Sequence, residues 1–189
     1  VYMGAGNFNK AAATLERQLA MNPEDGRALF TSALVYEQLK DFPKARDAYE
    51  KSLKLSPDNI VALNNLSYLY LERSGPPDKA VEMARQARRL APRDPAIADT
   101  LGWSLYRKGD YDAAVPLLQE SAGKLPDNAE VQYHLGMIHY MRGSEDDART
   151  ALGKAVSLPG EFNGKDEARS RLASLGTGAA AASPGQMAD

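Results

Sequence analysis

A repeat with a period of roughly 34 residues is the feature that most restricts how this chain can fold. Alanines recur in a nearly constant register, at Ala11, Ala45, Ala80, Ala114 and Ala148. Prolines recur in the same register, at Pro23, Pro57, Pro92, Pro126 and Pro159. Two residue types in one register predict stacked supersecondary units, each of which buries its apolar face against its neighbours.

Each period is predicted to contain two helices joined by a short turn. Between the markers, apolar residues recur at helical spacing, as at Leu63, Leu66 and Tyr70. Gly109 and Gly143 lie where the first helix of a pair must reverse into the second. Helix starts are indicated by first-turn prolines and by N-cap residues, at Pro43, Pro77, Pro95, Asp94, Asn128 and Ser144.

Four consecutive periods carry a pattern that resembles the tetratricopeptide repeat (TPR) family over roughly residues 1 to 160. In the third period the pattern is Leu63, Leu66-Ser67, Tyr70, Ala80, Ala84, Ala87 and Pro92. The resemblance implies an all-α, right-handed superhelical solenoid of antiparallel helix pairs, about four and a half repeats long. The implied segments are a partial first repeat (1–25, second helix), repeats at 26–59, 60–94, 95–128 and 129–160, a capping helix (161–175) and a flexible tail (176–189).

Composition favours a protein without catalytic or nucleic-acid-binding chemistry. In 189 residues, 23 Lys and Arg oppose 25 Asp and Glu, so the basic surface expected of a nucleic-acid binder is missing. There is no Cys, and the two histidines, His134 and His139, are five residues apart and cannot share a ligand on one helix. No apolar stretch is long enough to span a bilayer. We therefore predict no enzyme activity, no metal, no cofactor and no direct membrane insertion.

The resemblance implies that the first helix of each pair lines a concave groove that holds a peptide or helix of a protein partner. The residues predicted to contact it are Leu34, Asn64, Asn65, Tyr68, Trp103, Tyr106, Tyr133, His134, Met137 and Tyr140. Aromatic side chains exposed in a groove are common anchors of recognition. An asparagine amide can both donate to and accept from a peptide backbone. The alternative is that the aromatic residues only pack between repeats and that Asn64 and Asn65 only solvate the wall.

Three functions fit these features, and the first is preferred: an adaptor or scaffold that binds a partner in this aromatic groove. The second is self-assembly, because the helix from Phe8 to Ala20 would expose Leu15 and Leu19 at the N-terminal face. The third is the docking or regulatory region of a larger enzyme or of an envelope or exopolysaccharide-secretion protein. The repeats resemble those of bacterial TPR proteins, and the compartment, cytoplasm or periplasm and cell envelope, stays open.

Overall fold

Ten α-helices make up most of residues 7–73 and 75–176, the part of the chain that the computed structural model describes. The chain divides into two compact units, residues 1–92 (unit 1) and 93–189 (unit 2). Unit 1 contains α1 (Phe8–Met21), α2 (Gly26–Gln38), α3 (Phe42–Leu55), α4 (Ile60–Glu72) and α5 (Pro77–Leu90). Unit 2 contains α6 (Pro95–Lys108), α7 (Tyr111–Lys124), α8 (Ala129–Met141), α9 (Glu145–Ser157) and α10 (Lys165–Gly176).

The all-α class and the arrangement of the helices in pairs are confirmed. Helix α2 packs on α3 and α4 on α5 in unit 1, while α6 packs on α7 and α8 on α9 in unit 2. Apart from Gly176, which ends α10, the predicted tail lies outside the described residues. No helix within 7–73 or 75–176 is long and apolar enough to cross a membrane.

Short polar side chains fix most of the helix starts. The carboxylate of Asp94 accepts from the backbone N–H groups of Ala96 and Ile97, and Asn128 caps α8 in the same way. Equivalent caps start five other helices, at Asn7, Asp25, Asp41, Asn59 and Asp110. Ser144 also precedes a helix, but its side chain makes no capping hydrogen bond. Helix α9 instead has three carboxylates in its first turn, where their negative charges interact favourably with the positive end of the helix dipole.

The paired helices approach closely because small residues lie between them. The repeat-marking alanines Ala45, Ala80, Ala114 and Ala148 are fully buried. A Cβ atom on Gly102 of α6 would lie 2.8 Å from the side chain of Leu118 on α7. A Cβ atom on Gly136 of α8 would lie 2.6 Å from the side chain of Leu152 on α9. Glycine therefore allows these two pairs to pack at a distance that any side chain would prevent.

A tyrosine–glutamate hydrogen bond recurs in unit 1 and joins each pair to the helix before it. The Tyr36 hydroxyl on α2 donates to Glu16 of α1 at 2.8 Å, and the Tyr70 hydroxyl on α4 donates to Glu50 of α3 at 2.5 Å. Both tyrosines are buried, and burial followed by the carboxylate raises the pKa of each to about 12.

Helix α10 packs on α9 and α8, as expected of a helix that covers the last pair. Ala168 and Leu175 are buried and Leu172 is half-buried. Their spacing of four and three residues places these side chains on one face of the helix.

Candidate functional site

In unit 1 the predicted groove residues lie on α2 and α4 and keep partial exposure. Leu34, Asn64, Asn65 and Tyr68 are all half-buried. Asn64 and Asn65 are neighbours on α4, but their side-chain amides have different surroundings. We call these four residues the unit 1 surface.

Asn65 belongs to a chain of hydrogen bonds within unit 1. Its Nδ2 donates to the hydroxyl of Tyr49 at 3.0 Å, and that hydroxyl donates to Oε2 of Glu37 at 2.6 Å. Tyr49 is fully buried, and burial is the main reason why its pKa is raised. Burial also raises the pKa of Glu37, against the lowering effect of the Tyr49 hydrogen bond. This network fixes the orientation of the Asn65 amide.

The Asn64 amide is different, because its Oδ1 is buried and accepts no hydrogen bond from any described residue. Leaving a buried acceptor unsatisfied costs about 1–3 kcal/mol. Most buried polar atoms in folded proteins have a partner, so an exception calls for a physical explanation. Because this oxygen has almost no exposed surface, a donor of a bound chain reaches it only when the Asn64 side chain turns outward.

In unit 2 the predicted groove residues form a packed aromatic cluster instead of an open wall. The rings of Trp103 and Tyr106 stack 4.5 Å apart at 6°, and those of Trp103 and His134 stack 4.1 Å apart at 16°. Tyr133 packs against the edge of this stack, 5.5 Å from Trp103. Tyr106 is half-buried, and burial raises its pKa to about 12. The exposed fractions of the other five, Trp103, Tyr133, His134, Met137 and Tyr140, are between 1% and 7%.

The expectation that these five side chains face an open groove is therefore wrong. Helices α6 and α8 contact each other, so groove-facing side chains of one pack onto those of the other. Tyr133 and Tyr140 are covered further by the segment after α9 and by α10. The Tyr133 hydroxyl donates to Oε2 of Glu167 at 3.0 Å, and its ring packs 5.6 Å from that of Phe162. The guanidinium of Arg171 lies 5.0 Å from the Tyr140 ring centroid.

Asp99 and His134 form a buried acid–imidazole pair in this cluster. The sequence predicted His134 as a groove residue but did not pair it with Asp99. Nδ1 of His134 lies 2.8 Å from Oδ2 of Asp99, while Oδ1 of Asp99 is buried without a hydrogen-bond partner among the described residues. The two residues are about one period apart, so a register comparison of successive first helices could have paired them. Tyr133 and Glu167 are also one period apart, but Glu167 belongs to α10, outside the repeat pattern.

The arrangement offers recognition chemistry, since the half-buried amides and ring of the unit 1 surface have polar and apolar groups that can contact a partner chain. Within the described ranges, no group of three or more His, Asp or Glu side chains is placed to hold a metal ion.

Models of a known repeat family match this chain over most of its length. A family model described as "Tetratricopeptide repeat" matches residues 1–60 and 100–161, and a second model with that description matches residues 48–82. The TPR repeat-containing protein PA4667 of Pseudomonas aeruginosa is 34% identical over 97 residues, which is 51% of this chain. The aligned part is 16% of that relative, so this chain spans only a small fraction of its length.

Solved structures show the same fold. The chain resembles PilW, described as a widely conserved type IV pilus biogenesis factor, with a TM-score of 0.72, 21% identity and coverage of 91% and 81% of the two chains. It resembles TTC0263, a TPR protein of Thermus thermophilus, with a TM-score of 0.65, 24% identity and coverage of 93% and 94%. It also resembles YrrB, described as a TPR protein with an unusual peptide-binding site, with a TM-score of 0.64, 18% identity and coverage of 89% and 84%.

Proposed function

Because this chain belongs to the tetratricopeptide repeat family and is a protein–protein interaction module, we propose that it is an adaptor or scaffold that binds an extended segment of a partner protein at the unit 1 surface. Leu34 and Tyr68 supply half-buried apolar area, and Asn64 and Asn65 supply amides beside it. Of the predicted residues in unit 2, Tyr106 is half-buried and the other five are buried, so the proposal is confined to unit 1.

The observation that carries the proposal is the partial exposure of Tyr68 beside Asn64, whose Oδ1 finds no partner among the described residues. Once the Asn64 side chain turns outward, its oxygen can accept from a backbone N–H of a bound peptide, and peptide backbones present such donors whatever their side chains. The partially exposed ring of Tyr68, on the same helix, has the properties of a recognition anchor. YrrB, to which this chain is similar in fold, is described as having a peptide-binding site, and peptides are therefore the first ligand class to test here.

Selection of peptides tests the proposal. A phage-displayed library of random peptides is panned on the chain, and the affinities of the selected peptides are measured by calorimetry. We expect Asn64→Ala and Tyr68→Ala each to weaken binding by about 1–3 kcal/mol. Asn9→Ala, an exposed asparagine of α1, is the matched control and should bind like wild type. Peptides that bind all variants equally, or a library that yields none, would contradict the proposal.

Self-association through α1 is a second candidate, supported by the apolar side chains of that helix. Met21 is 83% exposed, and Leu15 and Leu19 are half-buried on α1. Light scattering over a range of concentrations measures the mass directly. A mass that stays at one chain at every concentration, for both wild type and Met21→Ser, would exclude this candidate.

A role as the docking region of a larger protein is a further proposal, tested by expressing the full reading frame.

A further inference from the structure

A separate cavity in unit 1 lies where the first turn of α3 meets the end of α4. Its volume is about 270 Å³, and it shares no residue with the unit 1 surface. The residues that line it are Phe42, Pro43, Arg46, Leu69, Tyr70, Arg73 and Gly75. Pockets for drug-sized ligands run from about 300 to 1,000 Å³. This one therefore suits a group the size of a single side chain.

The cavity combines an apolar interior with two positive charges. Leu69 and Tyr70 are buried, and Phe42 is half-buried beside them. Both arginines are exposed, and no acidic side chain is among the lining residues. The site therefore pairs a surface that favours an apolar group with charges that favour an anion.

Arg73 is held in place but leaves its hydrogen-bonding capacity unused. The centre of its guanidinium lies 3.8 Å from the centroid of the Phe42 ring, a cation–π contact. Its guanidinium makes no hydrogen bond or ion pair with any described residue. Arg46 has one weak partner, since its Nε lies 4.0 Å from Oε1 of Glu50, the same oxygen that accepts the Tyr70 hydroxyl. A planar guanidinium that is already oriented loses less freedom when it binds a carboxylate.

The two arginines are not a requirement of the repeat. At the equivalent positions one period earlier in unit 1, the side chains are Ala12 and Leu39. At the equivalent positions two periods later, in unit 2, they are Val115 and Arg142. Arg142 differs from Arg73, because its Nη1 donates to Oδ1 of Asp112 and its charge is neutralised. One period later in the sequence the two positions hold Val81 and Lys108, so a basic residue recurs at the second position, but of these four periods this one alone has arginine at both.

Gly75 keeps one wall of the cavity free of a side chain. Its N–H donates to the carbonyl of Tyr70 at 2.7 Å, which draws the backbone tightly against that residue. A Cβ atom on Gly75 would clash with the Tyr70 ring. Ala45 and Ala80 are 35 residues apart, whereas the other repeat-marking alanines are 34 apart, and the extra residue falls in the turn between α4 and α5, beside the cavity.

We propose that this cavity binds the carboxy-terminal residue of a partner chain. Its apolar side chain rests on Phe42 and Leu69, and its α-carboxylate pairs with Arg46 and Arg73. A terminal residue joins an apolar group and a carboxylate at one carbon, which matches a cavity of this size with two cations at its rim. An internal acidic side chain would satisfy the arginines and leave the apolar interior empty.

Titration followed by NMR of the ¹⁵N-labelled chain tests this site. The probes are the peptide acetyl-Gly-Gly-Gly-Phe with a free carboxylate and the same peptide as its amide. We expect the acid to shift the amide signals of Phe42 and Gly75 and to bind about tenfold or more tightly than the amide. Arg73→Gln and Arg46→Gln should each lose a similar factor. Arg85→Gln, which changes an exposed arginine of α5, should bind like wild type.

Retention of the remaining signals shows that each variant is folded. Equal affinity for acid and amide would overturn the proposal, as would an equal loss in Arg85→Gln and Arg73→Gln or no shift at Gly75. Binding of 3-phenylpropionate as tightly as the peptide would overturn the assignment to a chain terminus. Because the cavity shares no lining residue with the unit 1 surface, the shifts at Phe42 and Gly75 test this site independently of that surface.

Discussion

Asn64 and Asn65 are adjacent on α4, and replacing each by leucine should change stability in opposite directions. In Asn64→Leu the buried, unsatisfied oxygen is removed, which relieves about 1–3 kcal/mol. Leucine also exceeds asparagine in helix propensity by roughly 0.5 kcal/mol. We therefore expect the free energy of unfolding to rise by about 2 kcal/mol. In Asn65→Leu the hydrogen bond to Tyr49 is lost, and the free energy of unfolding should fall by about 1 kcal/mol.

Urea denaturation followed by far-ultraviolet circular dichroism measures both changes. Asn9→Leu on α1 is the control for helix propensity at an exposed position, and it should change the free energy of unfolding by no more than roughly 0.5 kcal/mol. If Asn64→Leu is no more stable than Asn9→Leu, the oxygen is satisfied in solution and the reasoning fails. If Asn64→Leu is more stable and also binds selected peptides less well, Asn64 trades stability for recognition.

Three further perturbations test the packing and electrostatics of the helix pairs. Tyr70→Phe removes the hydrogen bond to Glu50 and should lower the free energy of unfolding by about 1 kcal/mol near neutral pH. Folding raises the pKa of Tyr70 to about 12, so the stabilisation by this hydrogen bond is complete below about pH 10 and is lost as the pH rises through 12. In urea titrations at alkaline pH, the free energies of unfolding of wild type and variant should therefore converge near pH 12. Lys40 has a φ of 57°, in the left-handed region that favours glycine. Lys40→Gly should therefore relieve about 1 kcal/mol of backbone strain and raise the midpoint of thermal unfolding. An unchanged midpoint would show that the turn is unstrained. Gly102→Ala should lower the free energy of unfolding by about 1–3 kcal/mol through overpacking. Gly123→Ala is the control, because a Cβ atom there has no neighbour within 4 Å, and it should raise the free energy of unfolding by roughly 0.5–1 kcal/mol. Equal effects of the two substitutions would contradict the close approach of α6 and α7.

The fold was readable from the sequence because its determinants are local and repeat. The buried alanines mark where two helices touch, and residues such as Asp94 and Asn128 mark where helices begin. Each signal lies within one period and recurs in the next. Ser144 shows the limit of this reasoning, since a capping residue at the correct position did not form the cap.

The exposure of the candidate site was less predictable, because it depends on contacts between periods. The pattern assigns Trp103 and His134 to the same face of successive helices, but only the spacing of those helices determines that their rings stack. Burial of Tyr133 depends further on Phe162 and on α10, which lie outside the repeat pattern. The contact between Phe42 and Arg73 joins the start of one helix to the end of the next, and neither helical nor repeat spacing pairs those two positions.

The stack around Trp103 gives the chain a built-in optical reporter. Trp103 is the single tryptophan of the sequence, lies in unit 2 and is 3% exposed. Fluorescence excited selectively at tryptophan therefore follows unit 2, whereas circular dichroism follows the helices of both units. If the two units unfold together, the two signals share one midpoint. If they unfold separately, the midpoints differ, and unlabelled wild-type protein is enough to tell which unit is lost first.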